Sequence, residues 1–189
     1  QRALDHRRQL REIEEIGRQV EGWRPGDHVI ARLDPVAGGG AAQFAVVPSS
    51  QLVKAPATLG LEEAAGIPTA AGTAWQALFE IAALRRDQTI LIHAGVGGVG
   101  SFAIQFARSV GAHVVATASG AGMEIARQLG ADRIIDYRDE DFAATVSDLD
   151  VVLDTIGGET QQRSFGVLRA GGILIATSEP PDEALAKAH

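Results

Sequence analysis

The stretch that most constrains the fold runs over residues 89–111, T-I-L-I-H-A-G-V-G-G-V-G-S-F-A-I-Q-F-A-R-S-V-G. Its opening residues, Ile90, Leu91 and Ile92, are continuously apolar, as in a strand buried on both faces. Gly95, Gly97 and Gly100 follow in G-x-G-x-x-G spacing. The continuous apolar run then gives way to apolar residues every three or four positions, with Val99, Phe102, Ala103, Phe106, Ala107 and Val110 on one helical face and Gly111 placed to end it.

Strand, glycine turn and helix in this order make an anion site. A helix N-terminus presents unpaired N–H groups and the positive end of the helix dipole, and glycines let a phosphate come close to the backbone. The spacing fits the pyrophosphate of a dinucleotide, held by Gly95, Gly97, Gly98, Val99 and Gly100. Because 22 glycines in 189 residues produce such triplets by chance, the flanking strand and helix carry most of the weight.

Downstream, apolar segments at 113–117, 133–135, 151–154 and 172–177 alternate with helical patterns at 123–129, 141–147 and 159–168. That alternation predicts an α/β domain, a doubly wound parallel sheet with helices on both faces. Five strands are expected where a two-half dinucleotide fold has six, so the sequence reads as lacking its last strand, with an exposed edge at 172–177.

The first third is different. Residues 1–23 are rich in Arg and Glu with apolar residues at roughly helical spacing, which suggests a surface helix. W-R-P-G-D at 23–27 is a turn signal, followed by strand patterns at 28–33, 42–47 and 52–54 around a glycine loop at 38–40. A short helix at 61–65 and a long one at 68–84 come next. The domain boundary is set near Ala57, giving a small β segment over 1–56, in which 1–11 are unplaced, and a dinucleotide-binding domain over 57–189.

Composition narrows the function classes. A net charge of −7 with no basic block argues against a nucleic-acid surface. The absence of cysteine removes disulfides, thiolate zinc sites and a cysteine nucleophile, and the five histidines show no paired ligand spacing, so no metal is expected. No apolar run approaches 18 residues and no signal peptide pattern is present, which reads as a cytoplasmic protein without a membrane partner.

Several ordered motifs then agree at once: W-R-P-G-D-H-V from Trp23, A-A-G-I-P-T-A-A-G-T-A-W from Ala64, H-A-G-V-G-G-V-G from His93, L-G-A-D from Leu129, I-D-Y from Ile135 and V-L-R-A-G-G from Val167. Together they resemble the zinc-independent medium-chain dehydrogenase/reductases, in the quinone oxidoreductase and enoyl or alkenal reductase branch. The resemblance covers about residues 12–180. It implies a GroES-like β-barrel, here partial, ahead of a Rossmann domain, and a homodimer in the full-length form. It also implies hydride transfer from a reduced nicotinamide cofactor to a quinone or to the activated C=C bond of an α,β-unsaturated carbonyl. In such a family residues 12–23 read as a barrel strand rather than a helix.

Cofactor choice is read at the end of the second Rossmann strand. NAD-binding folds place an acidic residue there, about 20 residues beyond the glycine turn. Here the place holds Thr117, Ala118, Ser119 and Gly120, so no carboxylate repels a 2′-phosphate and the Ser119 hydroxyl is available to donate to one. NADPH is therefore expected in preference to NADH. The basic residue that similar enzymes often carry nearby is replaced by Ala121, Gly122 and Met123, leaving Arg138 as a substitute.

By resemblance, Tyr137 contacts the 2′-phosphate region and Thr73 lies near the nicotinamide. Thr155 and Ile156 end the fourth Rossmann strand at the carboxyl edge where ligands sit. No catalytic acid emerges, and solvent protonation suffices for such a reductase. An inactive dinucleotide-binding module is the alternative, and a zinc alcohol dehydrogenase fails for want of ligands.

Overall fold

A computed structural model describes residues 10–33 and 42–188; the glycine loop at 38–40 and residues 1–9 lie outside them. Two compact units divide the chain, Gln1–Ala70 and Ala71–His189.

In the first unit, β1 (Leu10–Glu12), β2 (His28–Ala31) and β3 (Leu52–Lys54) form an antiparallel sheet in the order β1-β2-β3. The surface helix expected over 1–23 is not found at its described end: residues 10–12 are a strand, and 13–23 contain no helix. Pairing decides this. Leu10 opposes Ile30, and the ladder runs on through the Ile13 N–H to the Asp27 carbonyl at 3.0 Å. Ile13 is buried whereas Ile16, which a helix would bring to the same face, is 41% exposed. Residues 42–47 also differ from expectation, forming no strand and leaving Phe44 and Val46 exposed. Helix α1 (Leu61–Ala64) packs Ala64 with Ile30 and Ala65 in a small apolar cluster.

The long helix expected over 68–84 is three consecutive helical pieces. Helix α2 (Gly72–Trp75) stands between wider π-type turns at Ile67–Ala71 and Gln76–Ile81.

The second unit carries β4 (Thr89–Ile92), α3 (Gly98–Ser109), β5 (His113–Ala118), α4 (Ala121–Leu129), β6 (Arg133–Asp136), α5 (Phe142–Thr145), β7 (Leu149–Asp154), α6 (Gly158–Phe165), β8 (Leu168–Ala176) and α7 (Glu183–Ala188). Its five strands are all parallel, in the order β6-β5-β4-β7-β8. This is a Rossmann sheet, and β4 at its centre is followed by the glycine turn. Helix α7 has no counterpart in the sequence reading.

Strand alternation splits the core into two layers. Ile90, Ile92, Val114, Ala116, Val151 and Leu153 join the layer under α2, α3 and α4. Leu91, Val115 and Val152 face the opposite layer, with Phe142 and Val167. Each fully buried Ile or Leu contributes about 2 kcal/mol of transfer free energy, which explains why the three central strands read as continuous apolar runs.

At the amino end of the sheet, Asp150 accepts the Thr89 N–H at 2.8 Å and Arg169 Nε at 2.7 Å. Burial alone would raise its carboxyl pKa, but the Thr89 N–H, Arg169 and Gln88 outweigh it and hold the group below the usual carboxylate range.

Candidate cofactor site

The three glycines divide their work. Gly95 is buried, and a Cβ on it would stand 2.8 Å from the Ala116 Cβ and 3.1 Å from Ile104 Cδ1. A Cβ on Gly100 would stand 2.3 Å from the Ala94 carbonyl oxygen and 2.9 Å from the Gly95 Cα, so any side chain there pries the helix off the turn. Gly97 is exposed, and its Cβ would meet only the Ala94 carbonyl oxygen at 3.2 Å and the Ala94 Cβ at 3.9 Å. Two glycines thus serve packing, and Gly97 keeps the outer approach clear.

Gly97 is the N-cap of α3 and offers no side chain to the helix. The first-turn N–H groups, among them those of Gly98, Val99 and Gly100, lack intrahelical partners by helix geometry and point outward for an anion. The Val99 side chain instead packs against the apolar layer below. Ala94, just before the glycines, has φ +50°, a conformation that costs a non-glycine residue about 1 kcal/mol or more.

At the ends of β5 and β6, the Ser119 hydroxyl donates to the Tyr137 hydroxyl at 2.8 Å. Tyr137 is 59% exposed. The carboxylate in register with this point, Asp136 opposite Ala118, is taken up by the Arg138 N–H at 3.0 Å. Across the β5–α4 turn, a Cβ on Gly122 would stand 2.9 Å from Val96 Cγ2, so close packing on the glycine turn favours a residue without a side chain there.

The end of β7 is built around Asp154, fully buried, whose carboxylate accepts the Ile156 N–H at 2.9 Å and the Gly157 N–H at 3.0 Å. Thr155 donates its hydroxyl to the His93 carbonyl at 3.0 Å. The Gly158 N–H, at the start of α6, donates to the Glu179 carboxylate. Position and apolar pattern pointed to Thr155 and Ile156; the roles of Asp154 and Glu179 depend on backbone N–H partners that no spacing signals.

A cavity of about 720 Å³ opens at the carboxyl ends of these strands, lined in part by His93, Ala94, Thr117, Tyr137, Arg138 and Ile156. Of the residues singled out by sequence, Tyr137, Arg138 and Ile156 line it, Ser119 is bonded to Tyr137, Thr155 is bonded to His93, and Gly95, Gly97, Gly98, Val99 and Gly100 lie outside the lining. Thr73 lies half-buried in α2 and is not part of this lining. His93 is 1% exposed; burial, only partly offset by the charge of Asp154, lowers its pKa to about 4.

Comparison with known proteins agrees with this arrangement. Residues 98–184 match the family described as zinc-binding dehydrogenase. The Danio rerio mitochondrial NAD(P)H oxidoreductase RTN4IP1 is 39% identical over 165 residues, which are 84% of this chain and 43% of that protein. An Arabidopsis thaliana chloroplast envelope quinone oxidoreductase homolog is 42% identical over 141 residues, 72% of this chain and 43% of its own length. The crystal structure of CurK enoyl reductase superposes with a TM-score of 0.87 at 31% identity, over 94% of this chain and 55% of that one. The Coxiella burnetii quinone oxidoreductase gives 0.80 at 29%, over 94% and 56%.

The chain belongs to the medium-chain dehydrogenase/reductases. Its relatives lie in the quinone oxidoreductase and enoyl reductase branch, and it spans less than half the length of the two curated relatives above.

The family matched over residues 98–184 is described as zinc-binding. The chain has no cysteine, and no group of three or more His, Asp or Glu among the described residues is arranged to hold an ion. The residues described here do not fit zinc. The exposed Gly97 and the first-turn N–H groups of α3, without intrahelical partners, have the donor chemistry that an anionic dinucleotide needs.

Proposed function

We propose that this chain is the cofactor-binding portion of an NADPH-dependent reductase that delivers hydride to a quinone or to the activated C=C bond of an α,β-unsaturated carbonyl, without a metal. The observation that carries the reading is the Ser119–Tyr137 hydroxyl pair at 2.8 Å, at a β5 end that carries no carboxylate of its own. With the Ser119 proton given to Tyr137, the Tyr137 hydroxyl keeps its own proton to donate to a 2′-phosphate, and Ser119 itself brings no negative charge against it. Relatives named as NAD(P)H and quinone oxidoreductases support the same class.

When bound, the nicotinamide supplies the hydride. The chain's own residues bind and orient: the α3 N-terminus takes the pyrophosphate, Ser119 and Tyr137 the adenosine end, and the Thr155–Ile156 backbone borders the ribose next to the nicotinamide. Thr73 is assigned to the nicotinamide end, and protonation of the reduced product comes from solvent. A GroES-like barrel in the full-length protein houses the substrate, and that protein is a homodimer. A cytoplasmic place belongs to the same proposal, although relatives carry mitochondrial and chloroplast names; among the described residues no helix is long and apolar enough to cross a membrane.

Oxidation of NADPH followed at 340 nm, with a quinone and an enone as acceptors, tests this. Turnover with either supports the reductase. Tight NADPH binding with neither acceptor reduced marks an inactive dinucleotide-binding module instead.

A further inference from the structure

His93 sits where packing alone would be served by an apolar side chain. It follows Leu91 on the same face of β4, is 1% exposed, and meets the Phe142 ring edge-on at 4.7 Å. Burying an imidazole is costly unless its nitrogens are used, and both are.

Its hydrogen bonds can be assigned by counting protons. Ser164 has one hydroxyl proton and donates it to the Thr160 carbonyl at 2.7 Å. The Ser164 oxygen therefore accepts at 3.0 Å from His93 Nε2, which carries the ring proton. Nδ1 is then bare and accepts from the Thr117 hydroxyl at 3.4 Å. With its proton so directed, the Thr117 oxygen faces the Ala94 N–H and accepts it at 3.1 Å. Ala94 is the residue held at φ +50°, and its carbonyl in turn accepts the Gly97 N–H at 2.8 Å.

We propose that His93, in its neutral Nε2–H form, is a positioning residue of the dinucleotide site, fixing the glycine turn through the Thr117 hydroxyl and the Ala94 N–H and tying that turn to α6 through Ser164. The relay joins three elements: the pyrophosphate turn after β4, the end of β5, and the helix that follows β7. It keeps Ala94 in a conformation the isolated backbone disfavours, so the α3 N–H groups are aimed before the cofactor arrives. The inference needs only a dinucleotide ligand and is independent of which nicotinamide cofactor is preferred.

The test measures dissociation constants for NADH, NADPH and adenosine, together with hydrogen exchange of the Ala94 amide by NMR. Thr117→Val removes the acceptor; it raises the Kd of both dinucleotides about tenfold and exposes the Ala94 amide, while adenosine, which has no pyrophosphate, binds as before. Thr117→Ser restores wild-type values. His93→Gln keeps a donor towards Ser164 but loses the Nδ1 acceptor and weakens the dinucleotides as Thr117→Val does, and the double variant is no worse than either single one. His93→Asn, which keeps an acceptor on the Thr117 side, stays near wild type. Folded His93→Gln and Thr117→Val proteins with unchanged dinucleotide affinity would overturn the proposal, as would losses that add or that extend equally to adenosine. If the His93 variants do not fold, the contrast between Thr117→Val and Thr117→Ser decides alone.

Discussion

Ser119 Oγ lies 2.8 Å from the Tyr137 hydroxyl and donates to it, joining the ends of two adjacent parallel strands beside the backbone bond from the Tyr137 N–H to the Ala118 carbonyl at 3.4 Å. With the Ser119 proton given to Tyr137, the Tyr137 hydroxyl keeps its own proton to donate to a 2′-phosphate on the adenosine side. Ser119→Asp places a carboxylate at that point. We expect the Kd for NADPH to rise by about 10- to 100-fold, on the order of 1.5–3 kcal/mol, with NADH changed little. Isothermal titration with both cofactors checks it, and equal weakening of the two would remove Ser119 from cofactor selection.

Gly97 and Gly100 should separate function from stability. At Gly97 the outward side is open, so Gly97→Val leaves a folded protein whose dinucleotide affinity falls by at least tenfold. At Gly100 the added Cβ meets the Ala94 carbonyl at 2.3 Å, and neither backbone segment can yield without moving β4 or α3. Gly100→Ala should cost about 3 kcal/mol of stability. Urea unfolding and cofactor titration of both variants would show a single pattern if this division of labour were wrong.

The reach of the sequence reading followed the range of the interactions. The Rossmann half was legible because β4, β5 and β7 are buried on both faces and α3 and α4 on one, so Ile90–Ile92 and the Val99 to Val110 stripe announce their elements locally. The β1 region was not, because its state depends on pairing with Ile30 and Val29 from far along the chain, while its charged, loosely periodic residues fit a surface helix equally well. The glycine spacing and Ser119 were visible as letters. The His93–Thr117–Ser164 connection was not, since residues 24 and 71 positions apart meet only once the sheet order places β5 beside β4 and α6 over the same face.

A pH dependence follows from His93. Its folded-state pKa, lowered to about 4 by burial, lies below the unfolded value of 6.5. Between those values the unfolded chain holds a proton that the folded chain does not, so stability falls as pH drops from 6.5 to about 4 and levels off below. The full loss is about 3 kcal/mol. Unfolding free energies across this range should be flatter by that amount in His93→Asn, which does not titrate; parallel curves for the two proteins would contradict the assignment.

The most direct measurement is a fluorescence titration of the wild-type protein with NADPH and NADH under one buffer condition. The account predicts saturable binding of both, with NADPH at least tenfold tighter because Ser119 and Tyr137 accommodate its extra phosphate. A clear preference for NADH would contradict the reading of the β5 end, and no binding of either would contradict the cofactor site itself.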